Sequence, residues 1–260
     1  MTDDEKFLIH PEYDLEKVEG FTMDNLLDVI AIGFEPEKTK IIVDTKNISS
    51  LYEIAIGVAR HITFSTVKAV FGFEDSSNIG IIFFPAIQAA PCFLESASKG
   101  EKVPCLIPAA IDQDPYWRVA RDVAPKLGYY KPAQIHSKFL PGLGKGGKMS
   151  SSLPETCIFL TDSPSAAKKK ILNAFTGGRA TVEEQRKLGG TPEICPISLY
   201  HYYIFQEDDK EADDLWRRCE QGELLCGECK MLLAEKVERF LVEHQRKRKE
   251  ARKRIGKYLM

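Results

Sequence analysis

Residues 105–118 read CLIPAAIDQDPYWR, and this stretch decides the fold expected for the chain. Its apolar start, Cys105 to Pro108, is typical of a buried strand, and a helix-compatible segment from Asp114 to Leu127 follows almost at once. Asp112 and Gln113 therefore stand between the carboxyl end of a strand and the start of a helix, where open α/β sheets bind ligands. A carboxylate there can accept from a ribose hydroxyl, whereas the alternative is that the aspartates only cap the helix.

Three further apolar runs are predicted as strands of the same sheet: Lys40 to Val43, Ile79 to Phe84 and Ala133 to Phe139. Helix-compatible stretches follow the first two, at Ser49 to Thr63 and Ala86 to Ser98. Because runs that do not alternate imply strands covered on both faces, the pattern predicts an α/β fold with a parallel, doubly wound sheet.

After about residue 165 the strand signals stop, and helical patterns separated by glycine pairs and an acidic stretch follow. We therefore expect a Rossmann-like α/β domain at residues 1–165 and an all-helical domain at residues 166–260. The helices expected in the second domain are Ala166 to Phe175, Thr181 to Leu188, Pro196 to Gln206, Lys210 to Glu220 and about Leu224 to Tyr258.

Composition limits the class of protein. The 260 residues are 43% hydrophobic, with a formal net charge of −2 and no run of about 18 apolar residues that could span a membrane. The first residues, MTDDEK, lack the charge pattern of a signal peptide, and seven cysteines are an odd number, which favours reduced thiols. These features predict a globular protein of the cytoplasm.

Positive charge is concentrated in one place. Between His244 and Lys257 eight residues are Lys or Arg, and only Glu250 is acidic. Such a cluster is typical of contact with phosphates of a nucleic acid, although a solvated helix end that complements the helix dipole is the alternative. The residues expected to contact nucleic acid are Arg246, Lys247, Arg248 and Lys249.

The cysteines and histidines show no complete metal-site pattern. Cys226-Gly-Glu-Cys229 forms one CxxC pair, with Cys219 seven residues before it, but a structural zinc site needs four ligands. We therefore expect free thiols and no bound structural metal.

Two further stretches suit ligand contact. The loop GKGGKMSSS at residues 144–152 offers backbone amides, lysine charge and hydroxyls to a phosphate, although Met149 interrupts the P-loop pattern and a solvated flexible loop is the alternative. Gln88 is the polar residue of FPAIQAAP, residues 84–91, and would either project into a pocket or lie exposed on a helix.

Taken together, AIDQDPY at residues 110–116, KMSSS at 148–152 and a helical domain after them resemble the class I aminoacyl-tRNA synthetases. The resemblance is closest to the eukaryotic type of tryptophanyl-tRNA synthetase, with FPAIQAAP, IFLTD, FTGGR and EHQRKRKE in matching order. The HIGH-like signature of that family does not occur in this sequence, so the resemblance implies a synthetase truncated at its amino end.

The resemblance also implies roles for individual residues. Glu5, Gln88 and Gln113 would surround the ammonium group of tryptophan. Asp112 would hold the ribose of ATP, and Lys6 would lie near the ATP phosphates as a catalytic residue.

In the KMSSS loop the resemblance implies ATP contacts from Lys148, Met149, Ser150 and Ser152. Lys148 would be catalytic, because its charge is set against the departing pyrophosphate. The usual class I loop has a second lysine where this chain has Ser151, as in the eukaryotic tryptophanyl type.

The implied function is a tryptophan–tRNA ligase that uses ATP with Mg²⁺, binds tRNA(Trp) and acts as a homodimer, without a membrane partner. Two alternatives remain open from the sequence. A truncated, catalytically impaired synthetase would act as a tRNA- or partner-binding protein, and the related tyrosine–tRNA ligases share the architecture.

Overall fold

The chain folds into two compact units. The computed structural model describes residues 1–147, 149 and 153–260. Unit 1 consists of Met1–Lys138 and Lys253–Met260, and unit 2 of Phe139–Arg252. The division thus falls at residue 138 and not at the predicted 165, because the segment after it packs into the second core: Leu143 is 2% exposed among the unit 2 apolar side chains.

Unit 1 carries the sheet. Its helices are α1 (Asp3–Ile9), α2 (Leu15–Ile32), α3 (Ile48–Ala59), α4 (Phe64–Phe71), α5 (Ile79–Ala89), α6 (Pro91–Lys99) and α7 (Asp114–Val123), and its strands are β1 (Leu106–Ala110) and β2 (Ala133–Ser137). No single described helix is long and apolar enough to cross a membrane, although the bent pairs α3 with α4 and α5 with α6 reach that length and composition when each pair is taken together.

The two strands pair in parallel, with Leu106 opposite Ala133 and Ala110 opposite Ser137. Helix α7 connects them, so the predicted strand–helix–strand unit and the α/β class are confirmed. The expectation that both faces of the strands are covered is wrong for the described part of unit 1, since Leu106 and Ile135 are each 56% exposed.

The run Ile79 to Phe84, predicted as a strand, is the first half of helix α5. The Asn78 side chain accepts a hydrogen bond from the backbone N–H of Ile81 at 2.9 Å, which is the usual cap of a helix start. A short apolar run does not distinguish a buried strand from a buried helix, and the cap decides between them here. The predicted helix after it is divided, because α6 begins anew at Pro91.

The run Lys40 to Val43 is not a regular strand either. It makes one isolated parallel bridge, from Ile41 to Leu259. Two residues after Ile41, the N–H of Val43 donates to the Asn47 side chain at 2.8 Å rather than to a neighbouring strand. The local turn therefore ends the pairing after one residue.

The last residues of the chain are part of the unit 1 core. Tyr258 is fully buried, and its hydroxyl donates to the carbonyl oxygen of Phe34 at 2.7 Å. The Asn47 side-chain amide donates to the carbonyl of Met260 at 3.2 Å. Together with the Ile41 bridge, these bonds hold the end of the chain beside α2 and α3.

Unit 2 is helical among its described residues, as predicted. Its helices are α8 (Pro164–Asn173), α9 (Val182–Leu188), α10 (Pro196–Tyr200), α11 (Asp209–Glu220) and α12 (Cys226–Arg252), and a π-helical turn (His201–Phe205) continues α10. Polar caps start three of them, with Ser163, Thr181 and Asp208 each accepting a backbone N–H of the first turn. Helix α12 packs along α8, and Leu233, Val237 and Leu241 lie buried between them.

The neighbouring residues Leu232 and Leu233 test which face of α12 stabilises unit 2. Leu233 is fully buried, whereas Leu232 is 40% exposed. We expect Leu233→Ala to lower the free energy of unfolding by about 2–5 kcal/mol through lost burial and a cavity. Leu232→Ala is the matched control and should change it by less than about 1 kcal/mol. Equal losses in urea unfolding would show that the buried face does not carry the stability.

Candidate functional site

The carboxyl end of β1 leads directly into a cluster of polar side chains in unit 1. A short 3-10 turn, Ile111–Gln113, follows the strand and places two side chains ahead of α7. Gln88, from α5, donates through Nε2 to Gln113 Oε1 at 3.4 Å, and Gln113 Nε2 donates to Asp112 Oδ2 at 3.3 Å. The structure therefore brings three predicted ligand residues from two elements into one hydrogen-bonded row.

Glu5 joins this cluster from α1. Its Oε1 accepts a hydrogen bond from the hydroxyl of Tyr116 at 3.2 Å. Burial, chiefly, raises the pKa of the Glu5 carboxyl, and the charges of Asp4 and Asp112 raise it further, while the Tyr116 hydrogen bond acts in the opposite direction. The Tyr116 hydroxyl therefore links Glu5 to helix α7, which begins directly after Gln113.

Tyr116 is a member of the cluster that the sequence did not single out. Its ring lies 4.6 Å from that of Phe71 and 5.8 Å from that of Phe84, measured between centroids. Burial, followed by the negative charges of Glu5 and Asp112, raises the pKa of its hydroxyl. The signal was available, because Tyr116 lies one helical turn after Gln113 in the stretch that decides the fold.

Asp112 does not cap α7. The residue at the cap position of this helix is Gln113, and its side chain makes no capping bond. The carboxylate of Asp114 bonds the side chain of Arg118 and lies 3.3 Å from Nε2 of His136. The capping interpretation of these aspartates therefore fails, and Asp112 presents an exposed carboxylate just beyond the strand.

Lys6 lies outside the cluster although it is adjacent to Glu5 in the sequence. Its Nζ lies 3.0 Å from Nε2 of His10 and 5.6 Å from the centroid of the Tyr13 ring. Successive residues of a helix point about 100° apart, so the direction taken by Glu5 is not shared by Lys6. The structure groups Lys6 with aromatic and imidazole neighbours.

The glycine-rich loop belongs to unit 2. Lys148, Ser150 and Ser152 lie outside the described residues, and Met149 is exposed. The chain before them is held by a backbone bond from the N–H of Gly142 to the carbonyl of Gly147 at 2.8 Å.

The base of this loop is fixed to the helices behind it. The N–H of Leu143 donates to the carbonyl of Thr156 at 2.9 Å, and the carbonyl of Leu143 accepts from Phe175 at 2.8 Å. Lys145 places its ammonium group 5.9 Å from the centroid of the Phe175 ring. These contacts anchor both ends of the segment in the unit 2 core.

The basic cluster lies on the last two turns of α12. Arg246 and Lys249 are exposed, and Lys247 pairs with Glu243 at 2.7 Å. Arg248 is partly buried. His244 and Ala251 on the same helix are buried, so Arg246 and Lys249 lie on the face turned away from the core, whereas Arg248 lies on the side of the buried residues.

Comparison with known proteins gives one consistent result. The family described as tRNA synthetases class I (W and Y) matches residues 8–242. A tryptophan–tRNA ligase of Pyrobaculum arsenaticum is 53% identical over 258 residues, which are 99% of this chain and 69% of the relative. One of Thermococcus onnurineus is 54% identical over 260 residues, which cover 66% of that relative.

Solved structures agree with the sequence matches. Tryptophanyl-tRNA synthetase from Giardia lamblia superimposes with a TM-score of 0.93 at 34% identity, over 100% of this chain and 72% of that one. The enzyme from Aeropyrum pernix superimposes with a TM-score of 0.90 at 33% identity, over 99% of this chain and 71% of that one. The chain thus spans about two thirds of the length of the curated relatives that it matches.

The hydrogen bond from Tyr116 to Glu5 can be tested by titration. Tyr116→Phe removes a donor that stabilises the ionised carboxylate, so we expect the raised pKa of Glu5 to rise further. Carboxyl carbon chemical shifts followed by NMR against pH measure this directly. Tyr13→Phe is the control, and a Glu5 pKa that is unchanged or lower in Tyr116→Phe would contradict the geometry.

Proposed function

Because the chain belongs to the tryptophanyl-tRNA synthetases of class I, we propose that it activates tryptophan with ATP and transfers it to tRNA(Trp). The observation that carries this proposal is the convergence of Glu5, Gln88 and Gln113 beside Asp112 at the end of β1. Carboxylate and carboxamide oxygens are hydrogen-bond acceptors, which is what an ammonium group needs when it leaves water.

In this proposal the cluster binds the amino acid by its polar end. Glu5 supplies charge, Gln88 and Gln113 supply carboxamide oxygens, and the rings of Tyr116 and Phe84 supply apolar surface close by. Asp112 is exposed and oriented by Gln113, so its carboxylate accepts from the ribose hydroxyls of ATP. Lys6 remains a sequence-based candidate for contact with the phosphates.

The chemistry that we assign is an in-line displacement. A carboxylate oxygen of tryptophan forms a bond to the α-phosphorus of ATP, and the bond from that phosphorus to the β-phosphate bridging oxygen breaks. Negative charge builds up on the departing pyrophosphate, and a lysine placed there lowers the barrier electrostatically. Lys148 is the residue proposed for this role, with Met149, Ser150 and Ser152 as further contacts of the nucleotide.

We propose that the Mg²⁺ ion is bound by the phosphates of ATP rather than by a cage of protein ligands. No group of three potential ligands that could hold an ion is found in the described parts of the chain. Mg²⁺ is commonly bound through substrate phosphates and waters rather than in an all-protein cage. We therefore expect the protein residues to bind and orient the nucleotide, with Mg²⁺ entering on its phosphates.

The partners are assigned by family and by charge. The exposed cations Arg246 and Lys249, with Lys247 and Arg248 beside them, are proposed to contact phosphates of tRNA. A homodimer and a cytoplasmic location are further proposals that rest on the family resemblance. The curated relatives compared above carry tryptophan rather than tyrosine in their names, which favours tryptophan as the amino acid.

A second candidate function is tRNA binding without amino-acid activation. It is favoured by the share of the relatives that this chain spans, about two thirds, together with the basic cluster of α12. The two functions differ in one measurable step, since only the first forms an aminoacyl-adenylate.

Amino-acid-dependent ATP–pyrophosphate exchange decides between them. We expect exchange with tryptophan and none above background with tyrosine, and the longer Pyrobaculum relative serves as positive control. Gln113→Ala should raise KM for tryptophan about ten- to hundredfold, because a hydrogen bond to a charged group is worth about 1.5–3 kcal/mol. The control Gln221→Ala, on an exposed position of unit 2, should leave KM unchanged. Bound tRNA without any exchange would establish the second candidate.

Two lysines of the glycine-rich loop, Lys145 and Lys148, allow the effect of charge at the reaction centre to be distinguished from that of positive charge elsewhere in the loop. Lys148→Ala should lower the exchange rate by roughly two to three orders of magnitude if it supplies ~3–4 kcal/mol of transition-state stabilisation. Lys145, which faces the Phe175 ring, is the matched control, and Lys145→Ala should keep most of the activity. Similar rates for Lys148→Ala and the unmodified chain would remove Lys148 from the chemistry.

A further inference from the structure

Two cysteines of unit 1 meet beside the elements that carry the polar cluster. Cys92 is buried in the first turn of α6, and Cys105 is half-buried directly before β1. Both are free thiols, and they are hydrogen-bonded to each other. The two residues are referred to here as the thiol pair. The activity proposed above makes no use of them.

The chain between the two cysteines folds back so that they meet. Gly100, with a φ of +68°, ends α6 in the left-handed conformation that glycine adopts without strain. The returning segment is tied to α6, because the N–H of Val103 donates to Oγ of the buried Ser96 at 3.0 Å. Ser96 lies one helical turn after Cys92, and Val103 lies shortly before Cys105. This hydrogen bond therefore holds the segment that ends at Cys105 against α6.

The main chain at each cysteine is also fixed. The carbonyl of Cys105 accepts from the N–H of Ala133 at 2.8 Å, directly before the paired residues of β1 and β2. Phe93, the residue after Cys92, is buried, and its ring stacks on that of Tyr129 with 5.3 Å between centroids. Both cysteines are thus positioned by bonds and packing that do not involve sulfur.

The two thiols differ in how readily they give up a proton. The hydrogen bond from Cys92 lowers the pKa of the Cys105 thiol, while burial acts in the opposite direction. The same hydrogen bond, followed by burial, raises the pKa of Cys92. The thiolate form is therefore concentrated on Cys105, and Cys92 keeps its proton. A thiolate is the form of cysteine that attacks an oxidant.

We propose that the thiol pair is an oxidation site at which hydrogen peroxide converts Cys92 and Cys105 into a reversible disulfide. Cys105 reacts with the peroxide, because it is half-buried and is followed by the exposed Leu106. Cys92 then reacts with the oxidised sulfur, because the two side chains are already in contact. A solvent-accessible thiolate next to a second, resolving cysteine is the usual arrangement of redox-sensitive thiols.

The reaction consumes one peroxide for each disulfide. The thiolate sulfur of Cys105 bonds to one peroxide oxygen as the O–O bond breaks, which leaves a sulfenic acid and a hydroxide that takes a proton from solvent. The sulfur of Cys92 then bonds to the sulfur of Cys105 as the S–O bond breaks, and the departing hydroxide takes the Cys92 proton. The two thiols lose two electrons in total, and the peroxide is reduced to two waters. A dithiol reverses the reaction by thiol–disulfide exchange.

The disulfide links two elements that lead to the polar cluster. Gln88 lies on α5, one turn before Cys92, and β1 runs from Cys105 to the turn that holds Asp112 and Gln113. Oxidation therefore ties the start of β1 to the helix that follows Gln88. The oxidation itself does not require amino-acid activation, so its test detects sulfur chemistry alone.

Peptide mapping of the full chain tests the proposal. The reduced protein is treated with hydrogen peroxide at neutral pH, the remaining thiols are alkylated, and an unreduced digest is analysed by mass spectrometry. We expect two peptides joined through Cys92 and Cys105, from protein that still migrates as a single chain without reductant. Treatment with dithiothreitol should return both cysteines to thiols.

Two substitutions of Cys92 separate its roles as hydrogen-bond donor and as disulfide partner. In Cys92→Ser the hydroxyl still donates to Cys105, so we expect no disulfide and a sulfenic acid on Cys105 that dimedone traps. In Cys92→Ala the donor is lost, so the pKa of Cys105 rises and its alkylation at neutral pH should be roughly three- to tenfold slower than in Cys92→Ser. Cys226→Ser, at a half-buried thiol of unit 2, is the matched control and should form the disulfide as the unmodified chain does.

The unmodified chain alone can overturn the proposal. If Cys92 and Cys105 both remain thiols at a peroxide concentration that oxidises free glutathione, the oxidation site does not exist, whatever the folding of the variants. If Cys105 is recovered only as sulfinic acid, or in a disulfide with another cysteine or another chain, Cys92 is not its partner. Equal alkylation rates of Cys105 in Cys92→Ser and Cys92→Ala would show that the hydrogen bond does not activate it.

Discussion

The parallel pairing of β1 with β2 is the constraint on which unit 1 depends. It joins residues 106–110 to residues 133–137, and the connection between them must cross back through α7. The carboxyl end of β1 is thereby fixed at the start of α7, and the turn between them directs Asp112 and Gln113 into the same small volume. With this turn in place, the packing of α5 beside α7 brings Gln88 within hydrogen-bonding distance of Gln113.

The elements of unit 1 could be predicted from the sequence where the apolar runs and the polar turns between them indicate the same element. The strand at Leu106, the strand at Ala133 and the helix between them follow from apolar runs separated by polar turns. It failed where one polar side chain decided the outcome, because Asn78 starts a helix and Asn47 ends a bridge. Such bonds depend on side-chain direction, which a hydrophobic pattern does not contain.

The polar cluster shows the same limit at the level of sites. Gln88 and Gln113 were singled out from the sequence pattern and Glu5 through the family resemblance, whereas Tyr116 was recognised from its bond to Glu5. Among the cysteines, the CxxC pair is visible in the sequence, but the position of Cys195 beside the same small pocket of unit 2 is not, since 30 intervening residues separate it from Cys226. Spacing rules detect residues that share a turn or a hairpin, and they do not detect residues that meet because helices pack.

The return of residues 253–260 to unit 1 has a consequence for synthesis of the protein. Unit 2 is inserted between two segments of unit 1, so the ribosome completes Phe139–Arg252 before it makes Tyr258. Domains generally fold as they emerge, the amino-terminal one first. Here that order is broken, because the bridge at Ile41 and the bond at Phe34 have no partner until Tyr258 and Leu259 are made, after the whole of unit 2. Unit 1 is therefore completed only after unit 2 has been made. A nascent chain interrupted in α12 would leave exposed the apolar site that Tyr258 occupies in the folded protein.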